Sequence, residues 1–392
     1  MEKRILYLIA VLLSATFAGC EKDSPDDAQE WSQEEKDRVE RAVIVYAVNR
    51  SSLVYDFDDD ASEMLVAMSR IDPDRNQLLV YKTDSATESG LYRVVRDKSG
   101  NCGFEMVCSY QRDVTSTHPD RIGEVLADAL SLFPNAAYDL IFWGHGTSWR
   151  PYFSDHAVVD SPALYGYGGE YSQTGGTQTD WTDLDELAGA VPDGRFGTVW
   201  FDCCYMTGIE VIYQFRDKCS TFVGYPSEVW DKGLPYDEVL PYLFSDDHDM
   251  TEAARAFYRF YADRSQPVTV AVVDMAGIED VADAASGIIA SGPLRPQTSD
   301  LLNYSRTKSS PFYDFHQFFR MTAELNGAGQ LADVLGVAMG RTVLYNAASE
   351  NDFNGRPWDS SSSSGVSTHF YVGSDSRDES YYRTLDWFKR VY

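Results

Sequence analysis

Basic residues are in short supply: 33 Lys and Arg stand against 61 Asp and Glu, a formal net charge of −28. A field of that sign repels nucleic acid and anionic lipid and attracts cationic peptides, so no nucleic-acid partner is expected. Long apolar runs are also missing. The one marked run, Ile5 to Leu13, is too short to cross a bilayer comfortably. Histidine and cysteine number six each. His118, His156, His248, His316 and His369 show no ligand spacing with the cysteines, so a zinc site is not expected. There is no internal repeat. What the chain does have is core-forming material, 44% hydrophobic and 14% aromatic residues, ample for one large domain or two small ones.

Lys3 and Arg4 precede the short apolar run, and Phe17-Ala18-Gly19-Cys20 then leads through small residues into a cysteine, the layout of an export signal. This ending resembles the lipobox of bacterial lipoproteins. The resemblance implies that residues 1–20 are a signal whose Cys20 becomes the lipidated amino terminus, a lipid anchor in a membrane of the cell envelope; an ordinary signal peptide is the competing reading. Residues 21–40 are rich in Asp and Glu with little that could form a core, which favours a solvated tether. An acidic stretch directly after such a cysteine resembles the surface-export signals of outer-membrane lipoproteins. Beyond Cys20 the cysteines are Cys102, Cys108, Cys203, Cys204 and Cys219, an odd number, so at least one thiol should stay unpaired in an oxidising compartment. Cys102 and Cys108 could close a small loop.

From residue 41 strands and helices alternate. Ala42 to Val48 and Leu78 to Tyr81 read as strands flanking a helix over 60–69, with Asp56, Asp58, Asp59 and Asp60 leading into its amino end as a solvated, dipole-complementing start. Residues 90–110 read as a hairpin at the sheet edge. Thr117, Pro119 and Asp120 offer a helix start, with Ile122, Val125, Leu126, Ala129, Leu130 and Phe133 at helical spacing behind them. Residues 147–180, rich in Gly, Tyr, Ser and Thr, are expected to form a long functional loop. A short helix over 183–191, strands at Phe222 to Tyr225 and Val268 to Val273, and a helix over 251–262 with Asp249 and Glu252 at capping-box spacing continue the pattern. The repetition predicts an α/β fold: a three-layer, mostly parallel sheet with helices on both faces and right-handed crossovers, spanning 41–275. Helical stretches at 312–325 and 328–345, a serine linker at 360–365 and a strand-like 366–372 predict a smaller C-terminal α/β subdomain over 276–392.

Two apolar runs break off at reactive side chains: Asp139-Leu140-Ile141-Phe142-Trp143-Gly144-His145-Gly146 and Trp200-Phe201-Asp202-Cys203-Cys204-Tyr205-Met206. In an open α/β sheet chemistry collects at the carboxyl ends of strands, so the two ends can bring an imidazole and a thiol into one crevice. A thiol becomes a good nucleophile at neutral pH when a base removes its proton, and the same imidazole can later protonate a leaving amine. Gly146 leaves its backbone N–H open to a developing oxyanion. Side chains alternate along a strand, so only one of Cys203 and Cys204 can face the crevice.

WGHG after one apolar strand, FDxCxM after the next, then Ser227-Glu228 and Gly233-Leu234-Pro235-Tyr236, resemble the clostripain family of cysteine peptidases, of the caspase-like group. The resemblance implies a caspase-like sheet and an endopeptidase acting on polypeptide through a thioester, with His145 as general base, Cys204 rather than Cys203 as nucleophile, and the amides of Gly146 and Cys204 as oxyanion hole. It also implies that Asp202 lies at the base of the primary specificity pocket, favouring Arg, then Lys, with Glu228 and Asp231 in the pocket wall. Capping of backbone N–H groups is the competing role for Asp202. Several relatives cut themselves between histidine and cysteine, where Arg150 is the one basic residue from 147 to 194. The chain departs from the family at Asn49-Arg50-Ser51-Ser52 and at Thr147-Ser148-Trp149. No cofactor is implied; calcium, which takes oxygen ligands, is the weaker reading of the 56–60 acids. A catalytically silent lipoprotein that binds peptide or a partner is the alternative function.

Overall fold

The computed structural model describes residues 31–84, 88–111, 113–151, 165–171, 179–294, 297–306, 312–369 and 376–392. Cys20, the signal and most of the tether lie outside them. After a short helix α1 (Gln33–Arg38), the chain runs β1 (Arg41–Ala47), α2 (Val54–Met68), β2 (Asn76–Thr83), β3 (Glu88–Arg96), β4 (Cys102–Gln111), α3 (Pro119–Leu132) and β5 (Ala137–Trp143). Next come β6 (His145–Pro151), β7 (Tyr165–Tyr171), β8 (Thr179–Thr182), α4 (Leu184–Ala190), β9 (Phe196–Asp202), α5 (Ile209–Gln214) and β10 (Cys219–Gly224). The remainder is α6 (Tyr236–Leu243), α7 (Met250–Ala262), β11 (Thr269–Asp274), α8 (Ile278–Ala290), β12 (Tyr313–Asp314), α9 (Phe315–Leu325), α10 (Gly329–Thr342), β13 (Val343–Ala348), β14 (Ser367–Thr368), α11 (Ser376–Tyr382) and α12 (Asp386–Val391).

Nine strands form one sheet in the order β13-β11-β10-β9-β5-β1-β2-β3-β4. The five central strands are parallel, and two antiparallel strands close each side. Strands covered on both faces need apolar side chains at every position, which is what Ala42-Val43-Ile44-Val45-Tyr46 and Leu140-Ile141-Phe142 supply. Alternation divides them. Ile44, Tyr46, Phe142 and Phe201 face the layer holding α3, α4 and α5, whereas Val43, Val45, Ile141 and Trp200 face α2, α6 and α7. Residues 276–392, expected as a smaller subdomain, add β13 to the sheet edge and α8, α9, α10 and α12 to the core shared by α3–α5.

Several local expectations need correction. The stretch expected as one loop over 147–180 contributes strands β6, β7 and β8, a small antiparallel sheet. Its middle strand reads YGYGGEY, with Gly166, Gly168 and Gly169 all at positive φ, so the alternation that marks a strand is absent. The helix expected to reach 345 stops at Thr342, where Val343 turns extended and opens β13. Cys219 is the first residue of β10. The cap of α3 is His118, whose Nδ1 accepts from Asp120 N–H. Cys102 is a free thiol. Cys108 lies six positions further along the same strand, roughly 20 Å of extended chain, far beyond disulfide reach.

Candidate active site

The sheet register sets the site. Trp143 and Asp202 are paired across the parallel strands β5 and β9, and His145 and Cys204 each follow two residues later. Neighbouring parallel strands lie about 4.8 Å apart, so the two chain ends leave the sheet side by side. The contact is close: a side chain on Gly146 would come within 2.6 Å of the Cys204 carbonyl oxygen and 2.8 Å of Cys203 Cβ. Glycine is required there because backbone cannot yield.

Parity separates the two cysteines. Cys203 is buried in the α3–α5 core, its Sγ donating to the Phe142 carbonyl at 3.3 Å. Burial pushes its thiol far above the ordinary range. Cys204 is half-buried; its Sγ accepts from Val229 N–H at 3.4 Å and lies 3.8 Å from Val229 O, to which the thiol donates. Burial first, then the nearby Glu228 carboxylate, push this thiol up, while Val229 and Arg306 act against them; the result is about 12. The resting side chain is therefore a neutral thiol. Immediately after it Tyr205 is left-handed, at φ 63°, a strained conformation for a bulky residue of the kind that collects at functional sites. Its N–H donates to Ser227 O at 2.8 Å.

His145 is half-buried, with Nε2 2.9 Å from Ser52 Oγ and its ring 6.2 Å from that of Trp181. Burial lowers its pKa below the ordinary value, so the imidazole is neutral at pH 7 and free to accept a proton. Ser52 holds one ring nitrogen and leaves the other for chemistry.

Asp202 is 4% exposed. Oδ1 accepts from Tyr225 hydroxyl at 3.2 Å; Oδ2 accepts from Leu234 N–H at 2.9 Å and Tyr236 hydroxyl at 3.2 Å. Gly233, at φ 61°, packs its Cα against this carboxylate, where a Cβ would fall 2.7 Å from Oδ2. Burial raises Asp202 to about 6 against these three donors, so it is mostly ionised at neutral pH. Glu228 is also buried but pairs with Arg306, Nε to Oε1 at 2.8 Å. Asp231 is exposed, its Oδ1 accepting from Lys232 N–H at 3.0 Å.

Asp60 departs most from expectation. It lies within α2 rather than at a solvated start, fully buried, its Oδ2 accepting from Trp143 Nε1 at 2.8 Å. Burial and the neighbouring Asp202 raise it to about 9, a carboxyl that stays protonated. Among the described residues no three His, Cys, Asp or Glu side chains are grouped to hold a metal ion. Arg150 lies in β6, and nothing is described of its side chain. Ser52, Val229 and Arg306 carried no sequence signal for the site. Ser52 is the nearest to legible, because β1, which precedes it, pairs with the β5 that delivers His145.

The caspase-like sheet and a family match make the chain a cysteine-type endopeptidase, with a thiol and an imidazole at adjoining strand ends as its candidate site. The chain belongs to the clostripain family, whose model matches residues 45–318. Three solved structures share the fold, each with a TM-score of 0.75 and covering 90% of this chain. One is a secreted C11 cysteine protease from Bacteroides thetaiotaomicron in complex with an irreversible peptide inhibitor, 24% identical over 98% of its own chain. Another is an inactive zymogen C11 protease from Parabacteroides distasonis, 21% identical over 98%. The third is a secreted C11 cysteine protease from B. thetaiotaomicron called iotapain, 20% identical over 99%. No curated protein matches the sequence.

Proposed function

We propose that the enzyme hydrolyses peptide bonds after basic residues, Arg before Lys, with Cys204 as nucleophile and His145 as its base. The observation that carries this reading is the Trp143–Asp202 register pair, with an imidazole and a thiol two residues beyond its two members. Substrate binding at Val229 releases Sγ. His145 takes the thiol proton, and the thiolate attacks the scissile carbonyl carbon. The oxyanion is met by the amide N–H groups of Gly146 and Cys204. The imidazolium gives its proton to the leaving amine, the C–N bond breaks, and a thioester remains. Water, deprotonated by His145, then cleaves the thioester to the carboxylic acid product and returns the thiol.

Ser52 keeps the imidazole oriented through both proton transfers. Asp202 reads the substrate cation: a guanidinium in a desolvated pocket donates a charge-assisted hydrogen bond to its carboxylate, a role supported by the ionisation of Asp202 near neutral pH. Fluorogenic peptides ending in Arg, Lys, Asn, Asp or Leu test the reading. Turnover of Arg and Lys peptides that vanishes in Cys204→Ala and persists in Cys203→Ala is the expected result. Failure on every peptide by a folded chain favours the silent binding protein instead.

We propose further that Cys20 is the lipidated terminus and that the enzyme is anchored in the outer membrane, with the acidic 21–40 stretch as its tether. Metabolic labelling with a fatty acid, retained in the wild type and lost in Cys20→Ala, tests the anchor.

A further inference from the structure

Residues 302–306 and Phe312, from the C-terminal part of the chain, pack beside the residue that follows the candidate nucleophile. Asn303 Oδ1 accepts from both Ser305 N–H (3.1 Å) and Phe312 N–H (2.9 Å). The Phe312 ring stacks on Tyr205, the residue after Cys204, with centroids 4.5 Å apart and planes at 17°. Leu302, Tyr304 and Phe312 bury themselves against Tyr205 and Trp358 as a small separate core, and Asn354 Nδ2 donates to Arg306 O at 3.3 Å. Val229 holds the Cys204 Sγ, and the residue before it is Glu228.

Arg306 is paired with this residue, its Nε donating to Glu228 Oε1 at 2.8 Å. The partners differ in exposure: the Arg306 side chain is 53% exposed and that of Glu228 9%. An exposed ion pair contributes little, but a buried carboxylate stripped of its cation is costly and acts on every neighbouring charge. The neighbour here is the thiol. Three charged groups act on Cys204: Glu228 and Asp202 oppose loss of its proton, and Arg306 favours it. Asp202 is already met by Tyr225, Tyr236 and Leu234 N–H, whereas Glu228 faces the neutral Tyr205 hydroxyl and one cation, Arg306.

We propose that Arg306 is a positioning residue that permits Cys204 to ionise, by neutralising the Glu228 carboxylate buried beside the thiol. The inference rests on Cys204 being the reactive thiol. When His145 takes the proton, the new thiolate forms next to an acid whose charge Arg306 has cancelled, and the imidazolium–thiolate pair is not opposed. The C-terminal residues therefore contribute charge to the site as well as core to the fold.

Alkylation of Cys204 by iodoacetamide in the full chain, followed by mass spectrometry from pH 6 to 10, tests this without a substrate. Arg306→Met is expected to slow alkylation at pH 7.5 about tenfold and to move the rise of rate with pH about one unit higher. Glu228→Gln alone should raise the rate, and the Arg306→Met/Glu228→Gln pair should recover to within about threefold of wild type. An unchanged rate in Arg306→Met, or a loss that Glu228→Gln does not restore, overturns the inference. If a peptidyl-arginine chloromethyl ketone labels Cys203 rather than Cys204 in the wild type, the assignment of the nucleophile fails instead, and the two failures are told apart.

Discussion

Ser52 Oγ lies 2.9 Å from His145 Nε2, a contact between residues 93 positions apart in the chain. In the proposed mechanism it fixes which ring nitrogen is left for proton transfer. Ser52→Ala should lower kcat about tenfold, roughly 1.4 kcal/mol of barrier, with KM nearly unchanged, because the serine orients the base and touches no substrate. Steady-state kinetics on an Arg peptide checks it. An unchanged kcat would mean that packing against Trp181 is enough to orient the ring.

Asp202 is expected to govern specificity. In Asp202→Asn, kcat/KM for Arg peptides should fall roughly a hundredfold, about 3 kcal/mol, the scale of a lost charge-assisted hydrogen bond. A Leu peptide, cleaved slowly by the wild type, should lose less than about threefold, since its side chain makes no such bond. Equal loss on both would mean that Asp202 only fastens Leu234, Tyr225 and Tyr236.

Gly146 leaves no room for a side chain. The Cβ of Gly146→Ala would fall 2.6 Å from the Cys204 carbonyl and 2.8 Å from Cys203 Cβ, and separating the two strand ends should displace the oxyanion donors. Activity should fall roughly a hundredfold or more, with a fall in Tm of several degrees. Near-normal turnover would show that these amides do not form the oxyanion hole.

Glu210, fully buried, predicts a pH effect on stability. Burial raises it to about 8, above its ordinary value of 4.5, even though Oε1 accepts from the Thr368 hydroxyl at 2.8 Å. The folded chain holds this proton where the unfolded chain has released it. Stability should therefore fall as pH rises from about 4.5 to about 8 and level off above. Glu210→Gln removes this slope, so thermal melts of variant and wild type should diverge with rising pH in favour of the variant, by a few kcal/mol at most. Parallel melting curves across that range would contradict the assignment.

The central sheet could be read from the sequence because strands covered on both faces must be apolar at every position, and Val43-Ile44-Val45 and Leu140-Ile141-Phe142 are. The reactive ends could be read for the same reason: each run stops where a His or Cys begins. The small β6–β8 sheet could not, since its glycines at 166, 168 and 169 erase the alternation that marks a strand. Strand β13 was hidden because it follows α10 with no intervening turn residue, at Thr342-Val343. Asp60 looks solvated in the sequence, yet its helix begins at Val54 and turns it inward onto Trp143. The Arg306–Glu228 pair spans 78 residues, and nothing local in the sequence announces a contact made only through space.

The most direct test of the account is to treat the folded enzyme with a peptidyl-arginine chloromethyl ketone and locate the adduct by mass spectrometry. The account predicts one adduct, on Cys204, formed faster than with a leucine analogue and lost in Cys204→Ala. An adduct on Cys203, or labelling of Cys204 no faster with arginine than with leucine, would contradict it.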